Sequence, residues 1–151
     1  MKTLANIVAA FGANIGLDGL CFDEKGGCAL EFDDVVVNLD YDEPRNILYA
    51  YSRLCGLPEG DAEKLALYEM LLELNSFFKG TDGGILGIEP LLGAVTYTNR
   101  IGIAHLDETI LDARIGRHVN AVEALRSSIE GLRDRSGTAE ESSWENGMLR
   151  I

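Results

Sequence analysis

Residues 61–78, DAEKLALYEMLLELNSFF, constrain this chain more than any other stretch. At about 100° per residue, the apolar side chains of Leu65, Leu67, Tyr68, Met70, Leu71, Leu72, Leu74, Phe77 and Phe78 cover roughly two thirds of a helix circumference. Glu69, Glu73 and Ser76 are left as a narrow wet strip. A surface helix lying over one core carries a narrower apolar stripe. This helix therefore needs cover on two sides, from its own sheet and from a second surface, and another copy of the chain is the economical source of the second. The expectation is a homodimer whose interface includes Leu67, Met70, Leu71, Leu74 and Phe78. A single protomer wrapped around the helix satisfies the same periodicity, which does not separate interface from core.

The remaining segments arrange themselves around that helix. Leu4, Ile7, Val8, Phe11 and Ile15 recur at three- and four-residue steps behind a capping Thr3, and Gly12 and Gly16 mark the exit of a first helix. Residues 20–22 and 28–32 flank the turn DEKGG and read as a hairpin, in a register that pairs Phe22 with Cys28. Residues 35–42 alternate apolar and polar behind the Asp33-Asp34 reversal, and residues 47–54 follow as a further strand. After the central helix, residues 85–89 and 94–101 form a second hairpin across PLLG. Asp107 then caps a long helix with Ile110, Ile115, Val119, Val122, Leu125, Ile129 and Leu132 as its apolar stripe. The predicted fold is α+β, an antiparallel twisted sheet with three helices in the order α-β-β-β(-β)-α-β-β-α. Residues 1–135 form a single domain, and residues 136–151 form a mobile polar tail in which Trp144 is the only large anchor.

Charge and composition narrow the function. With 25 acids against 13 bases the net charge is -12, which argues against nucleic acid or an anionic membrane as partner. The N-terminal apolar stretch is interrupted by Asn6, Asn14 and glycines, so it is neither a signal peptide nor a membrane span, and a cytoplasmic location is expected. Three cysteines without an export signal read as free thiols. No CxxC is present, and the two histidines, His105 and His118, do not complete a metal-ligand spacing; no metal and no cofactor is expected. Asp33, Asp34, Asp40, Asp42 and Glu43 fall at turns and on alternate strand positions, where carboxylates are ordinarily solvated. His118 reads as a packed histidine and His105 as part of a helix entrance. There is no nucleophile motif and no phosphate loop, so no catalytic residue is assigned.

The apolar surface continues past the glycine-marked end of the first helix. Leu17, Leu20, Phe22, Leu30 and Phe32 make a candidate binding patch beside a strand edge, although the same alternation also fills a protomer core.

The run FGANIGL at 11–17, then LCFDE at 20–24 and CALEFD at 28–33, resembles the opening of the class I type III secretion chaperones, the CesT or Tir-chaperone family. LYEMLLELN at 67–75, GILGI at 84–88 and the strand ending at Arg100-Ile101 resemble that family's second helix and following hairpin. The resemblance spans about residues 7–132; Gly116 inside the last helix and the long C-terminus depart from it. It implies a non-enzymatic bacterial cytoplasmic homodimer that holds the N-terminal segment of a cognate secreted effector in a soluble, secretion-competent form, without ATP. Extended segments bind by adding a strand to a sheet edge or by laying apolar anchors in a groove, and this chain offers material for both. A small acidic dimeric ligand-binding or regulatory module without a client is the alternative, and it would show a closed pocket in place of open grooves. An acid- or metal-dependent hydrolase would need converging carboxylates and histidines, which the strand alternation does not bring together.

Overall fold

The computed structural model describes residues 3–146, with side chains described as far as Arg135. The element order is α1 (Leu4–Asn14), β1 (Gly27–Phe32), β2 (Val35–Asp42), β3 (Ile47–Gly56), α2 (Asp61–Asn75), β4 (Ile85–Glu89), β5 (Ala94–Gly102) and α3 (Glu108–Asn146). The five strands form one antiparallel sheet in the order β1-β2-β3-β5-β4. This is the α+β arrangement expected from the sequence.

Strand alternation places the core on one face of the sheet. Leu30 pairs with Val37, Leu39 with Ala50 and Leu48 with Ile101, and all six side chains are buried. Their neighbours along the strands, among them Ala29, Glu31, Val36 and Asp40, are exposed on the other face. α3 lies across the core face with Leu111, Ile115, His118, Val122, Leu125 and Ile129 buried at alternating three- and four-residue steps. The stripe is therefore shifted by one position at its start: Ile110 is exposed and Leu111 takes the inward place. Arg126 fastens the helix to the sheet by donating to the backbone carbonyls of Asp34 at 3.0 Å and Arg53 at 2.8 Å. The helical backbone continues without a break from the expected boundary at 135 to Asn146. Ala139, Glu140 and Glu141 are good helix formers, which the polarity of this run concealed. The anchoring expected of Trp144 lies outside the described side chains.

Two segments differ from the sequence expectation. Residues 20–22 form no strand. Asp23 accepts at Oδ1 from the N–H groups of Lys25 (2.8 Å) and Gly27 (2.9 Å), and its own N–H donates to the Gly27 carbonyl (2.7 Å). That closed turn uses the groups a hairpin would need to continue back to Phe22. Leu20 instead docks on α1 at Gly12, where an added Cβ would lie 2.6 Å from the Leu20 Cβ. The chain reaches that position by turning back through the Leu17 N–H to Gly12 carbonyl bond (2.8 Å) and a left-handed Gly16.

The second difference is the end of α2. The helix stops at Asn75, and Phe77 and Phe78 sit at φ of 53° and 56°, outside helical geometry. Asn75 turns its amide to the outer edge of β4, donating to the Leu86 carbonyl (2.9 Å) and accepting from the Leu86 N–H (2.8 Å). Replacing Asn75 by Ala removes both bonds and leaves two strand groups unpaired in a partly buried setting. A loss of about 2 kcal/mol is expected, read as a lower urea midpoint with unchanged slope. An unchanged midpoint would show that the amide pair contributes nothing net.

Candidate functional site

The candidate client patch divides when the chain folds. Leu30 is buried in the core, so it offers no surface. Leu17 is exposed, and Leu20, Phe22 and Phe32 are half-buried. Phe22 lies in an apolar groove formed by Leu4, Ala5 and Ile7 of α1, Tyr41 at the end of β2, and Ile103 and Leu106 in the segment before α3. The Phe22 and Tyr41 rings are tilted at 36° with centroids 6.4 Å apart. Tyr41 OH donates to Asn46 Oδ1 at 3.2 Å, which keeps its polar end at the rim. Leu17 and Leu20 belong to the loop folded over Gly12, and Phe32 ends the edge strand β1. Leu30 thus adds nothing to the surface, and the other four residues are carried by the loop over Gly12, the groove along α1 and the end of β1. The groove residues from the segment before α3 carried no periodic signal, and sequence reading missed them.

The expected dimer set divides too. Leu67 and Leu71 are 3% and 5% exposed, packed into the protomer's own core. Met70 and Leu74 are half-buried, while Phe78 is exposed beyond the helix end. The outward apolar positions of α2 are Leu65 (61% exposed) and Leu72 (70%), seven residues apart and thus on one stripe. Phe77 (87%), Ile85, Ile88, Leu91 and Leu92 add exposed apolar side chains on the turn after α2, on β4 and on the β4–β5 turn. The two-sided burial inferred from the wheel corresponds to an inward side, Leu67 and Leu71, and an uncovered side, Leu65 and Leu72. The acids Asp61 and Glu69 flank the uncovered stripe, and that was the available signal for which side faced out.

His118 is buried in the core, and its surroundings imitate a catalytic triad. Ser52 Oγ is 2.9 Å from Nε2, and Asn99 Oδ1 is 2.7 Å from Nδ1. Tyr97 stacks on the ring at 5.0 Å, and its hydroxyl donates to the Thr81 carbonyl at 2.5 Å. Because the Tyr97 proton is committed there, Asn99 Nδ2 must donate to the Tyr97 oxygen (3.3 Å), which turns Asn99 Oδ1 toward the ring. Nδ1 therefore carries the proton and Nε2 accepts. The Ser52 hydroxyl then has one hydrogen for two acceptors, Nε2 and the Val36 carbonyl at 2.7 Å. A nucleophile must reach its substrate, and Ser52 and His118 are 0% and 1% exposed. The three side chains instead join β3, β5 and α3 as a polar network in the core. Burial lowers the His118 pKa to about 4, so the ring is neutral near pH 7.

At the edge of this network, Arg117 grips Asp82 through two bonds of 2.7 and 3.2 Å, which holds the Asp82 carboxyl below its ordinary range. Burial pushes the Cys28 and Cys55 thiols up, away from the reactive thiolate form. Among the described residues, no group of three or more His, Cys, Asp or Glu side chains is placed to hold a metal ion. No described helix is long and apolar enough to cross a membrane.

Comparison with known proteins agrees with this architecture. The model of the Tir chaperone protein (CesT) family matches residues 6–126. A chain of the ExsC–ExsE complex superposes with a TM-score of 0.70 at 25% identity, covering 83% of this chain and 96% of that one. The Yersinia pestis type III secretion chaperone SycH, solved with a stable fragment of YscM2, gives 0.62 at 20% identity, with coverage of 82% and 99%. A chain of the ExoU–SpcU complex from the type III secretion system of Pseudomonas aeruginosa gives 0.61 at 16% identity, with coverage of 83% and 96%. No curated protein matches the chain significantly.

Proposed function

This chain belongs to the Tir chaperone protein (CesT) family, and from that premise we propose that it is a bacterial cytoplasmic type III secretion chaperone. It binds the N-terminal segment of a cognate effector and keeps that segment soluble and extended for export. The observation that carries the proposal is the apolar groove along α1, whose lining includes Phe22 of the segment leading into the edge strand β1. A soluble chain does not leave such a surface open without use for it, and an extended polypeptide is the shape that fits a groove and a strand edge together. The protein performs this task by binding alone, with no cofactor, nucleotide or catalytic group. A second copy of the chain covers Leu65 and Leu72 on α2 and the exposed side chains near β4, giving a homodimer with two client sites.

The test is co-purification. A tagged chain expressed in its host should retain a secreted polypeptide whose N-terminal segment resists protease only in the complex; a chain that purifies free of any secreted protein would overturn the proposal. The site within it is tested by Leu17→Asp and Phe22→Asp, which alter exposed or half-buried positions. Both should fold and dimerise while client affinity falls by about tenfold, the effect of removing one well-packed apolar contact. Leu30→Asp should unfold the chain, because it places a carboxylate in the core. Wild-type affinity in both folded variants would place the client elsewhere.

A further inference from the structure

We propose that Asp23 is a positioning residue for client recognition: the turn it closes fixes the place of both aromatic side chains of the groove, Phe22 and Tyr41, while Asp23 itself stays clear of the client. The inference rests on the chaperone reading above and adds to it the residue that shapes the site.

Backbone and side chain of Asp23 close the turn together. Oδ1 accepts from the N–H groups of Lys25 and Gly27, the Asp23 N–H donates to the Gly27 carbonyl, and the Asp23 carbonyl accepts from the Gly26 N–H at 3.1 Å. Gly26 takes a φ of 83°, which glycine adopts without strain, and its carbonyl accepts from the Tyr41 N–H at 3.1 Å. One turn therefore holds both aromatic residues. Phe22 is its immediate neighbour in the chain, and Tyr41, near the end of β2, is tied to it through Gly26. A side chain inserted between the two rings would need about 7 Å, two carbon contacts of about 3.5 Å each. The centroids are 6.4 Å apart, so the rings form one closed wall of the groove.

Phe22 has little else to hold it. Residues 20–22 belong to no strand or helix, so the position of the ring is set from two ends, by Leu20 docked on Gly12 and by the turn at Asp23. Asp23 is exposed and does not line the groove. The N–H groups of Gly27 and Lys25 hold its carboxyl below the ordinary range, so it is ionised and accepting at neutral pH. Loss of that acceptor leaves Phe22 fastened at one end only. A client must then order the wall as it binds, and affinity falls by the cost of that ordering.

The test uses the full chain with Asp23→Ala, Asp23→Asn and Gly26→Ala, and a fluorescein-labelled ten-residue peptide alternating leucine with serine as the probe of the groove. Asn keeps an oxygen that accepts the same two N–H groups, so Asp23→Asn should bind the peptide within about twofold of wild type. Asp23→Ala should bind about tenfold more weakly, the effect of one well-packed apolar contact. Gly26→Ala puts a side chain in a left-handed position and should weaken binding in the same way. Phe22→Ala removes the wall, and on that background Asp23→Ala should cost almost nothing further, because the two residues act as one unit. Proton NMR of the free chain reads the geometry without any client: contacts between the Phe22 and Tyr41 rings should persist in wild type and Asp23→Asn and be lost in Asp23→Ala. Persistence of those contacts in Asp23→Ala, equal loss of affinity in the Ala and Asn variants, or additive losses from Asp23→Ala and Phe22→Ala would overturn the inference. Wild-type affinity in Asp23→Ala would remove this inference alone and leave the chaperone reading standing. A wild-type chain that binds neither the peptide nor any secreted polypeptide would remove that reading, and the positioning role with it.

Discussion

Acidification from pH 7 to pH 4 is expected to cost the fold about 3 kcal/mol at His118 alone, the order of magnitude set by a pKa lowered from 6.5 to about 4. The unfolded chain takes up a proton near the ordinary histidine value, whereas the buried ring resists one until about pH 4. Between those values the unfolded state binds more protons, so stability falls as pH falls through the window and becomes independent of this group below it. The geometry supports the size of the effect. His118 is 1% exposed and stacked on Tyr97, and the charged groups that line the small pocket beside it are Asp82, Arg114 and Arg117. Asp82 is already committed to Arg117, so among the described residues lining that pocket no free carboxylate is positioned to compensate an imidazolium. His118→Gln retains hydrogen-bonding capacity but does not titrate. It should be less stable than wild type at pH 7, and the difference between the two should shrink as pH falls from 6.5 to 4. Parallel urea-unfolding curves across that window would show that His118 does not titrate there.

Leu72→Asp and Leu71→Asp, adjacent in sequence, should behave as different kinds of variant. Leu71 is 5% exposed in the protomer core, and an unpaired carboxylate there costs several kcal/mol, enough to unfold a domain of ordinary stability. Leu72 is 70% exposed in one protomer, so an acid there is harmless to the isolated fold. In a dimer that covers it, the same carboxylate is desolvated twice, once from each subunit, and dissociation should be favoured by at least about a hundredfold. Sedimentation and circular dichroism read the two outcomes: a folded monomer for Leu72→Asp and an unfolded chain for Leu71→Asp. Sedimentation of Leu72→Asp as a stable dimer would place the interface on another face.

Much of the architecture was legible in the sequence because periodicity reports burial. Val35, Val37 and Leu39 alternate with Val36, Asn38 and Asp40 and occupy the inward positions that alternation assigns. The width of the α2 stripe likewise reported a helix with more apolar surface than one core requires. What periodicity does not report is direction. Leu67 and Leu72 contribute equally to a wide stripe, and it is the packing of α2 on β4, clasped by Asn75, and on α3 that turns Leu67 inward. The groove along α1 was hidden for a related reason, since Ile103 and Leu106 sit in an aperiodic connection and meet Phe22 only through the fold. Residues 20–22 had strand-like composition, but the side chain of Asp23 competed successfully for the backbone groups of the turn. The His118 network was beyond sequence reading altogether, because Ser52, Asn99 and His118 come from three elements and none carries a motif.

The insertion of β5 between β3 and β4 has a kinetic consequence. β1, β2 and β3 form a meander of near neighbours, so their pairings close short loops and are accessible early. β3 acquires its second neighbour only when Gly56 meets Ala94 and Ile47 meets Gly102, after α2 and β4 have been synthesised. Until then the strand that becomes the centre of the sheet has an open edge of unpaired backbone groups along Ile47–Gly56. A protein whose task is to keep another chain from sticking therefore passes, during its own synthesis, through a state with the same hazard, which ends when β5 arrives.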